Sequence, residues 1–510
     1  MASRRDELNA YTFAKRRLIA QFLQPHPSGS EEGAPRPLRA VVPGAIVGAV
    51  VLGIFGAWGM FKPVAPQKWD TPYENVIIAS KSTTRYVVLK TDGKTQLHPV
   101  LNMASAKLLL APDKGKVINV DESVLDNGKI PHGATLGIPY APDRLPDTKE
   151  AGSAKRWAVC ERPGEGGRAI QKAAFVFAKR EQGKTEGGNK LEGGELLYVE
   201  GPGPDRTRYL VDATGTAYPL QKDEVLLRTL VEQDRAPQRV TDDWLTTLHK
   251  GDPVAFPSIE GTPGAPAGVP GDLEPEADKV GMILSATSGT TTQQYVVLPG
   301  RVAPVTDFTA KLLLNSRALV DLRQDGRAKP VSAAAFQPGK PFGQEKDWPT
   351  AEPTAVNSAD TVPGSRNTVC NVLRGVSDKD GATTLSTWAG TGFPATLATG
   401  SSSTYVTPGS GQLFRQFKGS SADSGPLFLV TDTGLRYAMQ SNGDSVTDDA
   451  GIGESGTKKE REERRQEAQQ AQNRLGYKDV APAPVPAAWS TFLPTGPRLS
   501  TGAARQPQGS

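Results

Sequence analysis

The chain has 510 residues, with 59 Lys and Arg against 55 Asp and Glu for a formal net charge of +4, and it contains 54 Gly and 42 Pro. So slight a charge on so long a chain argues against a nucleic-acid or polyanion partner, and that much Gly and Pro excludes an architecture of long helices. The length exceeds what one hydrophobic core organises, so several subdomains are expected, built mostly from β-structure.

The chain opens with a basic segment. Leu8, Tyr11, Ala14, Leu18 and Phe22 recur at spacings of three or four, which places them on one side of a helix, with Arg4, Lys15 and Arg16 elsewhere. With Arg16 and Arg17 among its basic residues, such a helix docks on a partner or lies on a membrane surface, and periodicity alone does not separate the two. From Ala40 to Phe61 no residue is charged, a run long enough to cross a hydrocarbon core of roughly 30 Å as a helix. The run is longer than the apolar part of a cleaved signal peptide and begins too late for one. Arg4, Arg5, Lys15, Arg16, Arg17, Arg36 and Arg39 precede it, whereas only Lys62 and Lys68 follow closely. Positive charge stays inside, so the N-terminus is expected in the cytoplasm and Lys62 to Ser510 outside. Trp58 and Trp69 suit the outer interface.

The outer chain repeats itself. Tyr86-Val87-Val88-Leu89, His98-Pro99-Val100 and Ala106-Lys107-Leu108-Leu109-Leu110 return as Tyr295-Val296-Val297-Leu298, Ala303-Pro304-Val305 and Ala310-Lys311-Leu312-Leu313-Leu314. A second pair sets Tyr209-Leu210-Val211-Asp212, Gly215 and Tyr218-Pro219-Leu220 against Phe428-Leu429-Val430-Thr431-Asp432, Gly434 and Tyr437-Ala438-Met439. Each unit reads as strand, tight turn and strand, with a short leucine helix in two copies. Asp92-Gly93 is a hairpin signal. The irregular spacing of the four copies argues against a solenoid and for small lobes on a central body. The two cysteines, Cys160 and Cys370, end strand-like stretches on the outer side, where an oxidising environment favours a structural disulfide over two free thiols. Pairing places segments far apart in sequence in one central unit. Pro263 to Pro275 and Gln182 to Gly194 read as linkers or surface loops, Lys458 to Arg474 as a solvated charged helix, and the Pro-rich tail after Val480 as extended.

These features carry a family resemblance. Arg4-Arg5-Asp6-Glu7 leading into Tyr11-Thr12-Phe13 and Arg16-Arg17, the single early span, the four repeats, the two outer cysteines, Leu475-Gly476-Tyr477 and the tail Pro482 to Pro486 with Leu493-Pro494-Thr495-Gly496-Pro497 resemble EccB, the bitopic subunit of type VII (ESX) secretion systems. The acidic, Gly-rich stretch Ser441 to Gly456 and the charged helix depart from that pattern in being long. The resemblance implies an α+β, β-rich fold: a single N-terminal transmembrane helix, then four repeat lobes around a disulfide-tied central domain. The corresponding division is a cytoplasmic segment 1–39, a span 40–61, linker and lobe one 62–150, central domain 151–204 and 341–405, lobe two 205–260, a Pro/Gly-rich loop 261–278, lobe three 279–340, lobe four with the charged helix 406–480 and a tail 481–510. It further implies an assembly role beside an FtsK/SpoIIIE-like ATPase, a polytopic channel-like subunit and a mycosin protease, with self-association and contact with membrane lipid. A peptidoglycan-binding module is the first alternative, and an ATP-hydrolysing subunit the second.

The second alternative directs attention to Ala178 to Thr185, which fits a loose phosphate-loop pattern through Gly183, Lys184 and Thr185. A true phosphate loop opens a helix, whereas Glu186-Gly187-Gly188-Asn189 is poor helix sequence, so a hairpin loop is the better reading. Asp423-Ser424-Gly425-Pro426 has the look of a serine-protease nucleophile, but His98, His132 and His249 carry no supporting motif, and a turn is expected. Three scattered histidines on the expected outer side and a cysteine pair make no zinc site, and no cofactor is expected.

Overall fold

The computed structural model describes residues 4–23, 38–61, 65–164, 169–233, 235–398, 403–439 and 469–508. The stretch Ser441 to Gly456, most of the charged helix Lys458 to Arg474, the flanking Arg36 and Lys62 and the side chains of Arg39 and Trp58 lie outside the described residues. The fold is mixed α and β, rich in β-strand, with one disulfide.

The chain divides into two units. The first comprises residues 1–67, 79–81 and 119–129. It contains the helices α1 (Arg4–Leu23) and α2 (Leu38–Phe61), the latter with Pro43 in its second turn, where proline removes one main-chain N–H from the helix ladder. Among the described residues no helix is long and apolar enough to cross a membrane. The side chains of α2 are described from 41 to 56, and none of these is charged.

The second unit holds the rest, and among the described residues five sheets organise it, save that Ala79 and residues 119–120 of the first sheet are counted with the first unit. In chain order, β1 (Asn75–Ala79), β2 (Arg85–Thr91), β3 (Lys94–Val100) and β4 (Lys116–Val120) form the first sheet, ordered β3-β2-β1-β4. The β2–β3 hairpin turns at Asp92-Gly93, both at positive φ (51° and 75°), as a two-residue turn of that sequence requires. After β5 (Arg156–Arg162) and β6 (Gln171–Phe177) come β7 (Glu195–Glu200), β8 (Arg208–Val211), β9 (Thr216–Pro219), β10 (Gln238–Arg239) and β11 (His249–Lys250), in the order β10-β7-β8-β9-β11. The third sheet is β14-β13-β12-β15, from β12 (Ile283–Ser288), β13 (Thr291–Leu298), β14 (Arg301–Val305) and β15 (Lys329–Pro330). Short β16 (Thr354–Ala355) adds to β7. Then β17 (Thr368–Val376), β18 (Thr383–Gly390) and β19 (Thr404–Val406) complete the sheet β18-β17-β5-β6-β19. Finally β20 (Gly411–Phe417), β21 (Leu427–Thr431), β22 (Arg436–Ala438) and β23 (Ala483–Pro486) give β22-β21-β20-β23.

Four of these sheets share one wiring: an antiparallel three-strand meander, then a helix, then a strand that returns beside the first. The returning strand is parallel in the second, third and fourth. The intervening helices are α3 (Met103–Leu109) in the first and, beyond α4 (Glu122–Leu125) and α5 (Thr148–Gly152), α6 (Glu224–Leu230) in the second. After α7 (Asp242–Leu245), the third has α8 (Asp307–Leu314), and helical residues 469–474 precede β23 in the fourth. Asn102, Asp223 and Thr306 cap α3, α6 and α8 by accepting from main-chain N–H groups of the first turn. The leucines of the repeats are the inward side of this unit, with Leu108, Leu109, Leu312 and Leu313 all buried.

Three sequence expectations are corrected. The phosphate-loop-like segment Ala178 to Thr185 is no hairpin loop: β6 and β7 belong to different sheets, and the connection through it crosses between them. Pro263 to Pro275 packs into the third sheet's core through Ala267, Val269 and Leu273, held by Ala267 N–H to the Asp278 carbonyl (3.0 Å). Its prolines restrict the loop rather than keep it from folding. The tail is extended only over β23; it then buries Trp489, Leu493 and Leu499 and ends with Gln508 N–H donating to the Thr135 carbonyl (2.8 Å).

Candidate functional site

Cys160 and Cys370 face one another as register partners on neighbouring antiparallel strands, β5 and β17, and are joined by a disulfide. Side chains alternate across a strand, so Ala158 and Cys160 point to one face while Trp157 and Val159 point to the other. The disulfide face packs Phe175, Phe177 and Trp388. The opposite face joins the second and fourth sheets through Val199, Trp244, Phe414 and Phe428. The indole N–H groups of that face are satisfied: Trp157 donates to Gln412 Oε1 (2.9 Å) and Trp244 to the Val159 carbonyl (3.2 Å).

The phosphate-loop-like segment leaves β6 on this sheet. Residues Lys179–Thr185 form a 3-10 helix, not the α-helix a phosphate loop opens. Gly183 faces open space. Lys184 donates to Glu181 Oε1 (2.8 Å) and its ammonium lies 5.0 Å from the centre of the Tyr405 ring. Burial alone pulls this ammonium down, but the hydrogen bonds with Glu181 and Tyr405 outweigh it and hold it above the ordinary lysine range. Burial pushes the Glu181 carboxyl up, yet donation from Lys184, Thr407 and Tyr405 brings it below the ordinary range. The Thr185 hydroxyl donates to the Gln182 carbonyl (3.0 Å) and is buried. Gly183, Lys184 and Thr185 are therefore engaged in closing their own turn.

One residue further on lies a constellation absent from the sequence reading. The Glu186 carboxylate accepts from Arg156 of β5 and Arg374 of β17, both through Oε1, with Lys190 Nζ 3.9 Å from Oε2. Burial raises this carboxyl, and the two guanidiniums and Lys190 more than reverse the effect, leaving it below the ordinary range. A second hub is Glu150 of α5, which accepts from Lys155 (2.7 Å), Ser410 (2.8 Å) and Arg180 (3.3 Å). The hydrogen bond from Lys155 is the largest influence holding its carboxyl down. Glu161, next to the disulfide, is wholly buried; burial raises it, and its two oxygens accept from the Thr241 main chain and hydroxyl at the start of α7. No motif signals these groups, because apart from the local Lys155 and Lys190 the partners are 30 to 260 residues apart.

The remaining candidates are dispersed. On α1, Leu8, Tyr11, Leu18 and Phe22 are exposed, and so are Ala14, Arg16 and Arg17. His98 is buried between Thr91 Oγ1 and the Ala134 carbonyl, His132 packs edge-on against Tyr86, and His249 meets Thr383 Oγ1. Ser424 donates to the Ser421 carbonyl, and Gly425 sits at φ +130° with its missing side chain facing the Gln416 carbonyl, so Asp423 to Pro426 is a turn. Among the described residues no group of three His, Cys, Asp or Glu is placed to hold a metal.

Known proteins agree with this architecture. The sequence model of the family described as "Type VII secretion system ESX-1, transport TM domain B" matches residues 1–509. The chain is 26% identical over 509 residues to "ESX-3 secretion system ATPase EccB3" of Mycobacterium tuberculosis, covering 91% of this chain and 81% of that protein. Among solved structures, a chain of an intact ESX-5 inner membrane complex matches with a TM-score of 0.56 and 19% identity, over 100% of this chain and 96% of its own. The EccB3 dimer from the ESX-3 core complex matches with 0.53 and 22%, over 84% and 99%.

Proposed function

Because the chain belongs to the family of type VII secretion transport TM domain B, the EccB family, we propose that it is a structural and assembly subunit of a type VII secretion membrane complex, required for protein export across the cell membrane. The observation that carries this reading is the family match over residues 1–509. The recurring sheet wiring supports it, since four like-wired sheets and one disulfide-tied sheet offer many surfaces for contact with partner subunits.

In finer detail, the uncharged run Ala40 to Phe61 crosses the membrane once, with the basic segment inside and the five sheets outside. The four like-wired sheets act as lobes around the central domain. The exposed apolar residues of α1 dock on the membrane ATPase or the polytopic subunit, and the outer lobes associate with further copies of the chain, near a mycosin protease. Deleting the protein should abolish export of the system's substrates, and the intact chain should restore it. Export that continues without the protein would overturn the assignment.

Nucleotide hydrolysis is the second reading, favoured by the word ATPase in the names of the relatives. The engagement of Lys184 by Glu181 and Tyr405 weighs against it. Hydrolysis that falls in Lys184→Ala below the rate of the intact chain would favour it.

A further inference from the structure

Three cations converge on the single carboxylate of Glu186, and their arrangement has the features of a receptor filled by its own chain. Arg156 and Arg374 are held from strands tied by the disulfide, and their side chains are 18% and 16% exposed. Glu186 is 38% exposed and enters from the crossover segment, so the carboxylate sits on the solvent side of the two guanidiniums. The guanidiniums have anchors of their own: Arg374 Nε donates to Ser386 Oγ on β18 (2.6 Å) and Arg156 Nη1 to the Gln182 carbonyl (3.2 Å). Like charges on adjacent strands repel, and burial already lowers the affinity of Arg156 for its proton, with Arg374 adding to the effect. One carboxylate against Arg156, Arg374 and Lys190 leaves two positive charges uncompensated in this cluster. A dianion matches that excess better than Glu186 does, and paired guanidiniums suit the oxygens of a phosphate group.

We propose that Arg156, Arg374 and Lys190 form a binding site for a dianionic phosphate group, closed in this structure by Glu186 of the chain's own crossover segment. The Glu186 side chain has room to turn away: Gly183, Gly187 and Gly188 flank it with no neighbour within 4 Å of where a side chain would begin, while the main chain on either side stays held by Arg374 at the Thr185 carbonyl (3.3 Å) and Arg366 at the Gly188 and Asn189 carbonyls (3.5 Å). Lys184 takes no part, so the site is independent of the phosphate-loop-like motif.

The test uses the full chain in mild detergent, titrated with inorganic phosphate and, at matched ionic strength, acetate, with thermal unfolding as the readout. Removing the plug in Glu186→Gln should strengthen phosphate binding by roughly tenfold or more over the unaltered chain, because affinity is reduced by the fraction of time the site is open. Acetate should shift Glu186→Gln less than phosphate does, and adding Arg374→Gln should abolish the saturable response. A response to soluble phosphate assigns a soluble source, whereas sedimentation of reconstituted Glu186→Gln with phosphatidic-acid vesicles but not phosphatidylcholine vesicles assigns a lipid headgroup. If Glu186→Gln does not fold, the unaltered chain should still show a weaker saturable response that Arg374→Gln removes. Absence of a saturable response in both arms, or a response equal in the Arg374→Gln background, overturns the proposal.

Discussion

At Gly425 the backbone takes φ +130°, and a Cβ there would lie 1.9 Å from the Gln416 carbonyl oxygen. Gly425→Ala should therefore destabilise the chain by about 1–3 kcal/mol, read as a lower thermal midpoint, because both the dihedral and the contact must be relieved. At Lys184 the interactions are partly exposed, so Lys184→Ala should cost no more than about 1 kcal/mol and leave any background hydrolysis unchanged. The carboxyls Glu150, Glu181 and Glu186 all lie below their ordinary range in the folded chain. Their stabilisation is thus fully present above the unfolded value of about 4.3 and is lost as pH falls through that value toward their folded ones. Glu161, raised by burial, acts oppositely: what it contributes is present at low pH and lost as pH rises through its folded value. With three groups against one, the thermal midpoint should drop between about pH 5 and pH 3, and Glu186→Gln should flatten part of that drop. A midpoint unchanged over that range would contradict this balance.

The fourth sheet depends on a strand from the far end of the chain. β23 lies beside β20 with Ala483 opposite Phe414, and the tail then buries Trp489, Leu493 and Leu499. Removing residues 481–510 should leave the remaining chain insoluble or protease-sensitive, because it exposes a sheet edge and two cores at once. Replacing both Cys160 and Cys370 by Ala should lower stability by up to about 5 kcal/mol for a loop of 210 residues, measured by chemical denaturation. Local signals were readable at this scale. Asp92-Gly93 announces its hairpin, the Tyr-Val-Val runs their strands, and the leucine triplets the short helices α3 and α8. The helix α6 escaped notice because Glu224 to Leu230 carries no such triplet, although it occupies the same place in the wiring. What pairs with what is not readable: Pro484 and Pro486 indicate an extended tail but not its pairing with β20, where a parallel edge position tolerates proline. The Glu186 cluster was equally hidden, since Arg374 is 188 residues away.

In the whole molecule the buried cores chain the sheets together. One core joins the first and fourth sheets with the C-terminal residues, a second joins the fourth, central and second, and Phe308 and Leu312 of α8 enter the second sheet's core. Arg474 donates to the Leu108 and Leu110 carbonyls and Lys107 to the Leu475 carbonyl, so the end of α3 and the C-terminal segment hold one another reciprocally. Such continuity ties the sheets of the second unit into one body, in keeping with an assembly role. Purification of the tagged full chain from its own membranes in mild detergent, followed by identification of the proteins that accompany it, tests that role most directly. Co-purification of the FtsK/SpoIIIE-like ATPase and the polytopic subunit is the predicted result; a chain recovered without either of them would contradict it.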